Sequence, residues 1–122
     1  MTIYTPDNWV IVRFNGDKPH YRVLGGWSGS YLHGSSWRMN SGITRVEQSN
    51  ETFDINGRTH IAQYFDFYGS SGSVYRCNAE CYGLRMNTIG TWNYLETRYL
   101  DRVELLDENT DWNSVDWASN EI

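Results

Sequence analysis

The chain has 122 residues, too few for two cores of ordinary size, so we expect a single domain over residues 1–122. A hydrophobic content of 39% and an aromatic content of 16%, with six Trp and nine Tyr, exclude an intrinsically disordered chain. The net charge of −5 argues against direct nucleic-acid binding, which depends on Lys and Arg neutralising phosphates.

The first half of the chain is dominated by strand and turn signals. Residues 9–14 form an apolar run rich in β-branched side chains, which predicts a strand buried on both faces. Asn15-Gly16 predicts a two-residue type I′ hairpin turn, because both turn positions need positive φ. The glycine-dense stretch 25–30 predicts a bend or bulge rather than a regular strand. Further predicted elements are strands at 20–24, 36–40 and 43–47 and a loop at 48–50.

The second half repeats this plan and then adds a helix. Its predicted elements are a strand at 52–55, the Asn56-Gly57 turn, a strand at 60–68 and a closing strand at 103–106. Between them, Trp92, Leu95 and Tyr99 are spaced three or four residues apart. This spacing predicts a short helix at about 91–100, with Thr91 at its N-cap.

The negative charge is concentrated at the C-terminal end. Residues 1–95 contain seven acidic and eight basic side chains, whereas residues 96–122 contain eight acidic side chains and two basic ones. We expect the polar, acidic segment 107–122 either to dock through Trp112 or Trp117 or to be loose.

Several segments recur in the same order along the chain. Trp37-Arg38-Met39-Asn40-Ser41 recurs as Leu84-Arg85-Met86-Asn87-Thr88, and the Ser-Gly-Ser of 28–30 recurs at 71–73. This repetition predicts one structural unit used twice, at about 8–47 and about 52–106. The predicted fold is therefore all-β, a mostly antiparallel small barrel or sandwich with internal pseudo-two-fold duplication, plus one short helix.

The repeated segment separates its side chains onto two faces if it is extended. Trp37 and Met39 then point to one side, which we expect to be core, while Arg38 and Asn40 point to the other. The second copy has Leu84 and Met86 opposite Arg85 and Asn87. Two explanations stay open for the Arg-Asn pairs: they brace carboxylates and turns, or they line one concave face.

Neighbouring residues favour the second explanation, in which the Arg-Asn pairs line a binding face. Ser-Gly-Ser offers hydroxyls and open backbone amides that can hold an anion, although no Gly-Lys-Ser/Thr follows, so it is not a phosphate loop. Aromatic rings beside glycine-rich turns can stack on bases, and Arg adds cation–π attraction. The candidate ligand-binding residues are Arg38, Asn40, Arg85, Asn87, Trp27, Tyr31, Ser30, Ser73 and Tyr75.

Metal binding and catalysis have little support in the sequence. Cys77 and Cys81 are loosely spaced and no second Cys or His pair accompanies them, so we expect plain thiols in a loop, with a metal site or a local disulfide as alternatives. Asp66 with Glu80, or a Cys with a His, has no supporting local motif for catalysis. We therefore name no catalytic residue, metal ligand or cofactor.

The residues Tyr4 to Trp9, Ser36 to Ile43, Ser71 to Tyr75 and Tyr82 to Arg85 resemble those of small uncharacterised accessory proteins of large tailed bacteriophages, including cyanobacterial phages. The resemblance covers most of residues 4–106. It implies a phage protein acting inside an infected bacterium, where small non-enzymatic proteins often counter host defences. The N-terminal residues lack a signal peptide and no apolar run reaches membrane length, so we expect a soluble protein of the host cytoplasm.

The sequence thus favours binding over catalysis. The first hypothesis is a non-enzymatic phage-type protein that sequesters a small anionic, nucleotide-like ligand between the two units. The second is a protein–protein interaction module that inhibits a host enzyme through its acidic surface. A third is a minor virion structural protein. The oligomeric state is left open.

Overall fold

A computed structural model describes residues 2–16, 18–29 and 36–117. These residues form two four-stranded β-sheets and one α-helix, in chain order β1 (Ile3–Tyr4), β2 (Asn8–Phe14), β3 (His20–Trp27), β4 (Ser36–Met39), β5 (Ile43–Ile55), β6 (Arg58–Gly69), β7 (Val74–Asn78), α1 (Met86–Tyr99) and β8 (Val103–Leu105). One sheet has the order β1-β7-β6-β5 and the other β4-β3-β2-β8. Apart from the parallel pair of β1 and β7, the ladders between these strands are antiparallel. The predicted all-β class with one short helix is confirmed.

Strand β2 is the centre of the fold because both of its faces are covered. Trp9 and Ile11 face the other sheet and belong to the inter-sheet core, which also contains Phe67 and Tyr75. Its even-numbered residues, such as Val10, face α1 and belong to a second, helix-side core. The prediction of a strand buried on both faces is correct.

The first hairpin has a longer loop than the sequence predicted. Strand β2 ends at Phe14 and β3 begins at His20, so five residues connect them, and Phe14 pairs with His20. Pro19 has no N–H and cannot contribute a ladder hydrogen bond, which disfavours pairing directly after Asn15-Gly16. The second hairpin does turn on two residues: Ile55 pairs with Arg58, and Asn56 and Gly57 have φ of 51° and 78°.

The predicted bend at 25–30 is wrong for its first residues, because β3 continues regularly to Trp27 and is paired on both sides. The glycines are needed for close packing instead. A Cβ on Gly26 would lie 2.4 Å from Asn87 Oδ1 and 2.7 Å from Thr88 Cγ2, at the start of α1. Only glycine lets the helix approach the strand this closely.

The predicted loop at 48–50 is also wrong, since β5 is continuous from Ile43 to Ile55. Strand β7 pairs with β6 only between Tyr64 and Tyr68, so the hairpin extends beyond the third strand. Every residue from 47 to 61 is exposed. We call the two-stranded part, residues 50–63, the hairpin arm. Polar residues at 48–50 are compatible with a strand because their side chains are exposed on both faces.

Helix α1 begins one turn earlier than predicted, at Met86 rather than near Thr91. Thr88 supplies the missing start signal, because its hydroxyl oxygen accepts a hydrogen bond from the Arg85 amide at 3.1 Å. The expected buried stripe is present: Trp92 and Leu95 are buried against the second sheet. No helix within the described ranges is long and apolar enough to cross a membrane.

The described part of the acidic C-terminal segment, 107–117, is docked on the inter-sheet core. Trp112 and Trp117 are both buried, and the Trp117 indole N–H donates to the Trp112 carbonyl at 3.2 Å. Trp112 lies 5.6 Å from Trp9 and 6.0 Å from Phe67 between ring centroids. This segment therefore forms part of the core rather than an independent tail.

A repeated plan is visible in two three-stranded meanders, β2-β3-β4 and β5-β6-β7. The correspondence does not extend to the Arg-Met-Asn segments. Arg38 lies in strand β4, whereas Arg85 precedes helix α1. The prediction that both copies bury their apolar pair is wrong, because Trp37 is 51% and Met86 91% exposed. Identical tripeptides take the conformation that their neighbours impose, and only the second copy precedes the Trp92–Leu95 stripe.

The hydroxyl of Tyr82 is held in the fold in its neutral form, so the stability of the protein should decrease at alkaline pH. It donates to the Leu106 carbonyl and accepts from the Ile11 amide at 3.2 Å, and burial raises its pKa to about 12. A folded-state pKa above the ordinary value near 10 means that the neutral phenol contributes fully below about pH 10. That contribution is lost as the pH rises from about 10 to about 12.

We therefore expect the free energy of unfolding, measured by urea denaturation, to fall between pH 9 and pH 11. In a Tyr82→Phe variant the decrease should be shallower, although the variant is less stable at pH 8. Burial also raises the pKa of Tyr75 to about 12, so some decrease persists. An identical slope in both proteins would show that Tyr82 ionisation does not contribute.

Candidate functional site

Three of the residues predicted to bind a ligand lie around Tyr4 of strand β1: Trp27, Arg38 and Tyr75. The Arg38 guanidinium carbon lies 4.6 Å from the centre of the Tyr4 ring, and Tyr4 contacts Trp27 edge to face at 6.3 Å. Tyr75 lies beneath Tyr4 at 5.0 Å but is itself buried in the core. A pocket of about 370 Å³ between Trp27, Trp37 and Arg38 opens here.

The two predicted Asn residues are engaged in holding the chain together. Asn40 is buried, and its Oδ1 accepts from the Val23 amide at 2.8 Å. Asn87 donates from Nδ2 to Asn8 Oδ1 at 2.8 Å, which ties the start of α1 to β2. Both amides therefore serve the structural role that was the alternative explanation of the motif.

The two Arg residues do not line one cleft. Arg38 is paired with Gly25, whose absent side chain would face Pro6, whereas the next residue, Gly26, faces Asn87 and the helix. Successive strand residues point to opposite faces, so Arg38 and the start of α1 lie on opposite sides of the second sheet. Arg85 lines a separate pocket of about 310 Å³.

Of the remaining predicted residues, the structure describes Ser73 but not Ser30 or Tyr31. Ser73 lies in the turn between β6 and β7, where its carbonyl accepts from the Gly69 amide at 2.8 Å. Ser30 and Tyr31 lie outside the described residues. The described members of the predicted set therefore lie in four separate places: around Tyr4, in the turn between β6 and β7, in the buried core and at the start of α1.

A different part of the molecule has the composition of an anion site. It is a pocket of about 520 Å³ between the second sheet and the C-terminal end of α1. We call it the basic pocket; its described lining residues are Phe14, Gly16, Lys18, His20, Arg22, Met39, Leu95, Tyr99 and Arg102. Three of these are permanently cationic and none is acidic. Such a concentration of positive charge is notable in a chain whose net charge is −5.

The three cations have no carboxylate partner in the part of the chain that the structure describes. Within the described residues, Lys18, Arg22 and Arg102 form no salt bridge, whereas Arg13, Arg45 and Arg76 each have an acidic partner. The three cations come from the loop after β2, from β3 and from the turn after α1. Folding therefore brings Arg102 to the same pocket as Lys18 and Arg22, an arrangement of like charges that costs stability unless an anion is bound.

His20 links Arg22 to the Lys18 backbone, because each of its two ring nitrogens makes one hydrogen bond. The Arg22 Nε–H donates to His20 Nε2 at 2.9 Å, so Nε2 must be unprotonated. The proton is then on Nδ1, which donates to the Lys18 carbonyl at 2.8 Å. Both imidazole nitrogens are occupied, and among the described residues the two outer nitrogens of the Arg22 guanidinium have no hydrogen-bond partner.

Aromatic rings form one wall of the same pocket. Phe14 and His20 stack at 4.9 Å with an interplanar angle of 5°, and Arg22 lies 5.4 Å from the centre of the Phe14 ring. Tyr99, which is 38% exposed, meets the edge of Phe14 at 5.7 Å. The pocket therefore combines stacking surface with cationic donors, the two features that recognise nucleotides.

The basic pocket could not be predicted from the sequence because it depends on the register of the first hairpin. A two-residue turn at Asn15-Gly16 would pair His20 with Ile11 and direct it to the inter-sheet core. The five-residue loop pairs His20 with Phe14 and Arg22 with Val12, which places all of them on the helix side. A change of register by an odd number of residues exchanges the two faces of a strand.

The two cysteines are not joined by a disulfide in the described structure. Cys77 is completely buried in β7 rather than in the predicted loop, and burial raises the pKa of its thiol well above the ordinary value. Cys81 is half-buried and both thiols are free. A buried, neutral thiol is a poor nucleophile.

Comparisons of the chain with protein-family models, with curated proteins and with solved structures found no match. The basic pocket is therefore the feature of the molecule that bears on its function.

Proposed function

We propose that the protein is a non-enzymatic binding protein that holds a small anionic, nucleotide-like ligand in the basic pocket. The observation that supports this is the convergence of Lys18, Arg22 and Arg102 beside Phe14 and Tyr99, with no acidic residue among the described lining. The proposed ligand class is the one expected from the sequence, and the proposed site differs from the predicted one. The cations supply electrostatic attraction and the rings supply stacking.

Binding without catalysis is favoured by the state of His20. General acid–base catalysis needs a group that can exchange a proton with the substrate. Both nitrogens of His20 are already hydrogen-bonded, to Lys18 and Arg22, so neither is free to take a proton from a bound ligand. In the phage context that the resemblance implies, such a protein would withdraw a nucleotide signal from the host by holding it intact.

A thermal-shift screen tests the proposal. Nucleoside phosphates, cyclic nucleotides and cyclic oligonucleotides are added to the purified protein at low salt. A ligand present at about 100 times its Kd should raise Tm by at least about 5 °C. An Arg22→Ala/Arg102→Ala variant should lose this stabilisation, because two of the three cationic donors are removed.

Two further variants locate the site. Arg58→Ala, at the exposed tip of the hairpin arm, removes a positive charge without touching the pocket and should respond like the wild type. Arg38→Ala/Arg85→Ala alters the site predicted from sequence and should also retain the response. Loss of stabilisation in that variant, with retention in Arg22→Ala/Arg102→Ala, would move the site back to the Arg-Met-Asn segments.

A second candidate function is inhibition of a host protein through the acidic C-terminal segment. It is favoured by the fixed position of residues 107–117, in which Asp107, Glu108 and Asp111 are exposed. Deleting the segment would remove Trp112 from the core, so charge neutralisation is the sharper test. An Asp107→Asn/Glu108→Gln/Asp111→Asn variant keeps oxygen acceptors for the amides of Asn109 and Asn113. Under this hypothesis it loses partners that the wild type captures from an infected-cell lysate.

A further inference from the structure

We infer that the basic pocket recognises a terminal phosphate, as in a nucleoside 5′-phosphate, in preference to a phosphodiester such as a cyclic nucleotide. This inference rests on the proposed function and specifies the ligand of the same site. It follows from the number of fixed charges, from their separate origins and from the orientation of Arg22.

The charge of the pocket matches a terminal phosphate better than a diester. A phosphomonoester carries about −1.5 to −2 charges at pH 7 and has three terminal oxygens. A phosphodiester has a single negative charge and two free oxygens. Lys18, Arg22 and Arg102 supply three positive charges that no described carboxylate compensates. A diester leaves two of these charges unmatched, whereas a monoester leaves about one.

The three cationic donors, Lys18, Arg22 and Arg102, also lie on three different structural elements. They belong to a loop, a strand and a turn, so they approach the pocket from different segments rather than along one strand. Three terminal oxygens can each accept from a different donor, whereas a diester offers one acceptor oxygen too few. Charge-assisted hydrogen bonds to phosphate are roughly twice as strong as neutral ones, so the missing contact has a measurable cost.

The Arg22 guanidinium is oriented for this role. Its Nε–H is taken by His20, so only the end of the guanidinium with its two outer nitrogens is left for a ligand. That end can donate two parallel hydrogen bonds to two oxygens of one phosphate. The other side of the site, with Tyr99 half exposed, is where a base would stack.

Calorimetric titration of the wild-type protein with 5′-AMP, 3′,5′-cyclic AMP and adenosine tests the inference, and the matching guanosine compounds cover the alternative purine. Within each series the base is constant and only the phosphate changes. We expect the 5′-monophosphate to bind at least about tenfold more tightly than the cyclic form. An Arg22→Gln variant should reduce that ratio towards one, while Arg58→Gln should leave it unchanged.

The possible outcomes distinguish a failure of the terminal-phosphate inference from a failure of the proposed function. Equal or tighter binding of the cyclic form overturns the terminal-phosphate inference but leaves the proposed function intact. If none of the phosphorylated compounds binds and no ligand of the thermal-shift panel stabilises the protein, the proposed function itself fails. A ratio that stays unchanged in Arg22→Gln shows that selectivity does not arise from this guanidinium, which also overturns the inference.

Discussion

A Trp112→Ala variant is expected to have a free energy of unfolding about 3–5 kcal/mol below that of the wild type, the range for large-to-small substitutions of buried aromatic residues. Trp112 is 4% exposed and its ring contacts those of Trp9, Phe67 and Tyr82. Removing it leaves a cavity where both sheets and the C-terminal segment meet. Urea denaturation followed by circular dichroism measures the loss.

Trp37→Ala is the matched control, because Trp37 is 51% exposed. Its stability should change by less than about 1 kcal/mol, as is usual for exposed positions. If the two alanine variants have the same stability, the C-terminal segment does not contribute to the core in solution. The pair therefore tests whether residues 107–117 belong to the folded domain.

A Gly26→Ala variant is expected to lose about 1–3 kcal/mol of stability, the typical cost of overpacking a well-packed site. The new methyl group would lie 2.4 Å from Asn87 Oδ1 and 2.7 Å from Thr88 Cγ2, so the start of α1 must move away. That movement strains the hydrogen bond between Asn87 and Asn8. Thermal unfolding followed by circular dichroism reports the change as a lower Tm.

Gly90→Ala provides a control of opposite sign on the same helix. Gly90 lies in the interior of α1 with nothing within 4 Å of the position of a Cβ. Alanine should therefore stabilise the protein by about 0.5–1 kcal/mol through its higher helix propensity. If Gly26→Ala were as stable as Gly90→Ala, the close approach of helix and strand would not exist.

The parts of the fold that could be predicted from sequence are those set by local patterns. Residues 9–14 are apolar at every position but Arg13, and they form a strand buried on both faces. Asn56-Gly57 dictates its own two-residue turn. The spacing of Trp92 and Leu95 predicted a helix, although the start near Met86 depends on a Thr88 hydrogen bond that the hydrophobic spacing does not reveal.

The candidate site depended on information that no local pattern contains. Its cations are separated by up to 84 positions along the chain, from Lys18 to Arg102, and meet only after α1 has folded over the second sheet. The repeated Arg-Met-Asn segment is a contiguous pattern and therefore predicted two equivalent sites. Its two copies nevertheless have different conformations. The decisive variable was the length of one hairpin loop, which determines the faces occupied by His20 and Arg22.

The hairpin arm has a consequence for the solubility of the protein. Strand β5 is an edge strand of 13 residues, and its outer half carries the exposed side chains of Phe53 and Ile55. A long free edge of this kind can template intermolecular sheet formation. Carboxylates along it, such as Glu51, oppose that association by repulsion between copies. As the pH approaches the isoelectric point of about 5.0, the net charge that keeps copies of the chain apart falls towards zero, and we expect them to associate first through the arm.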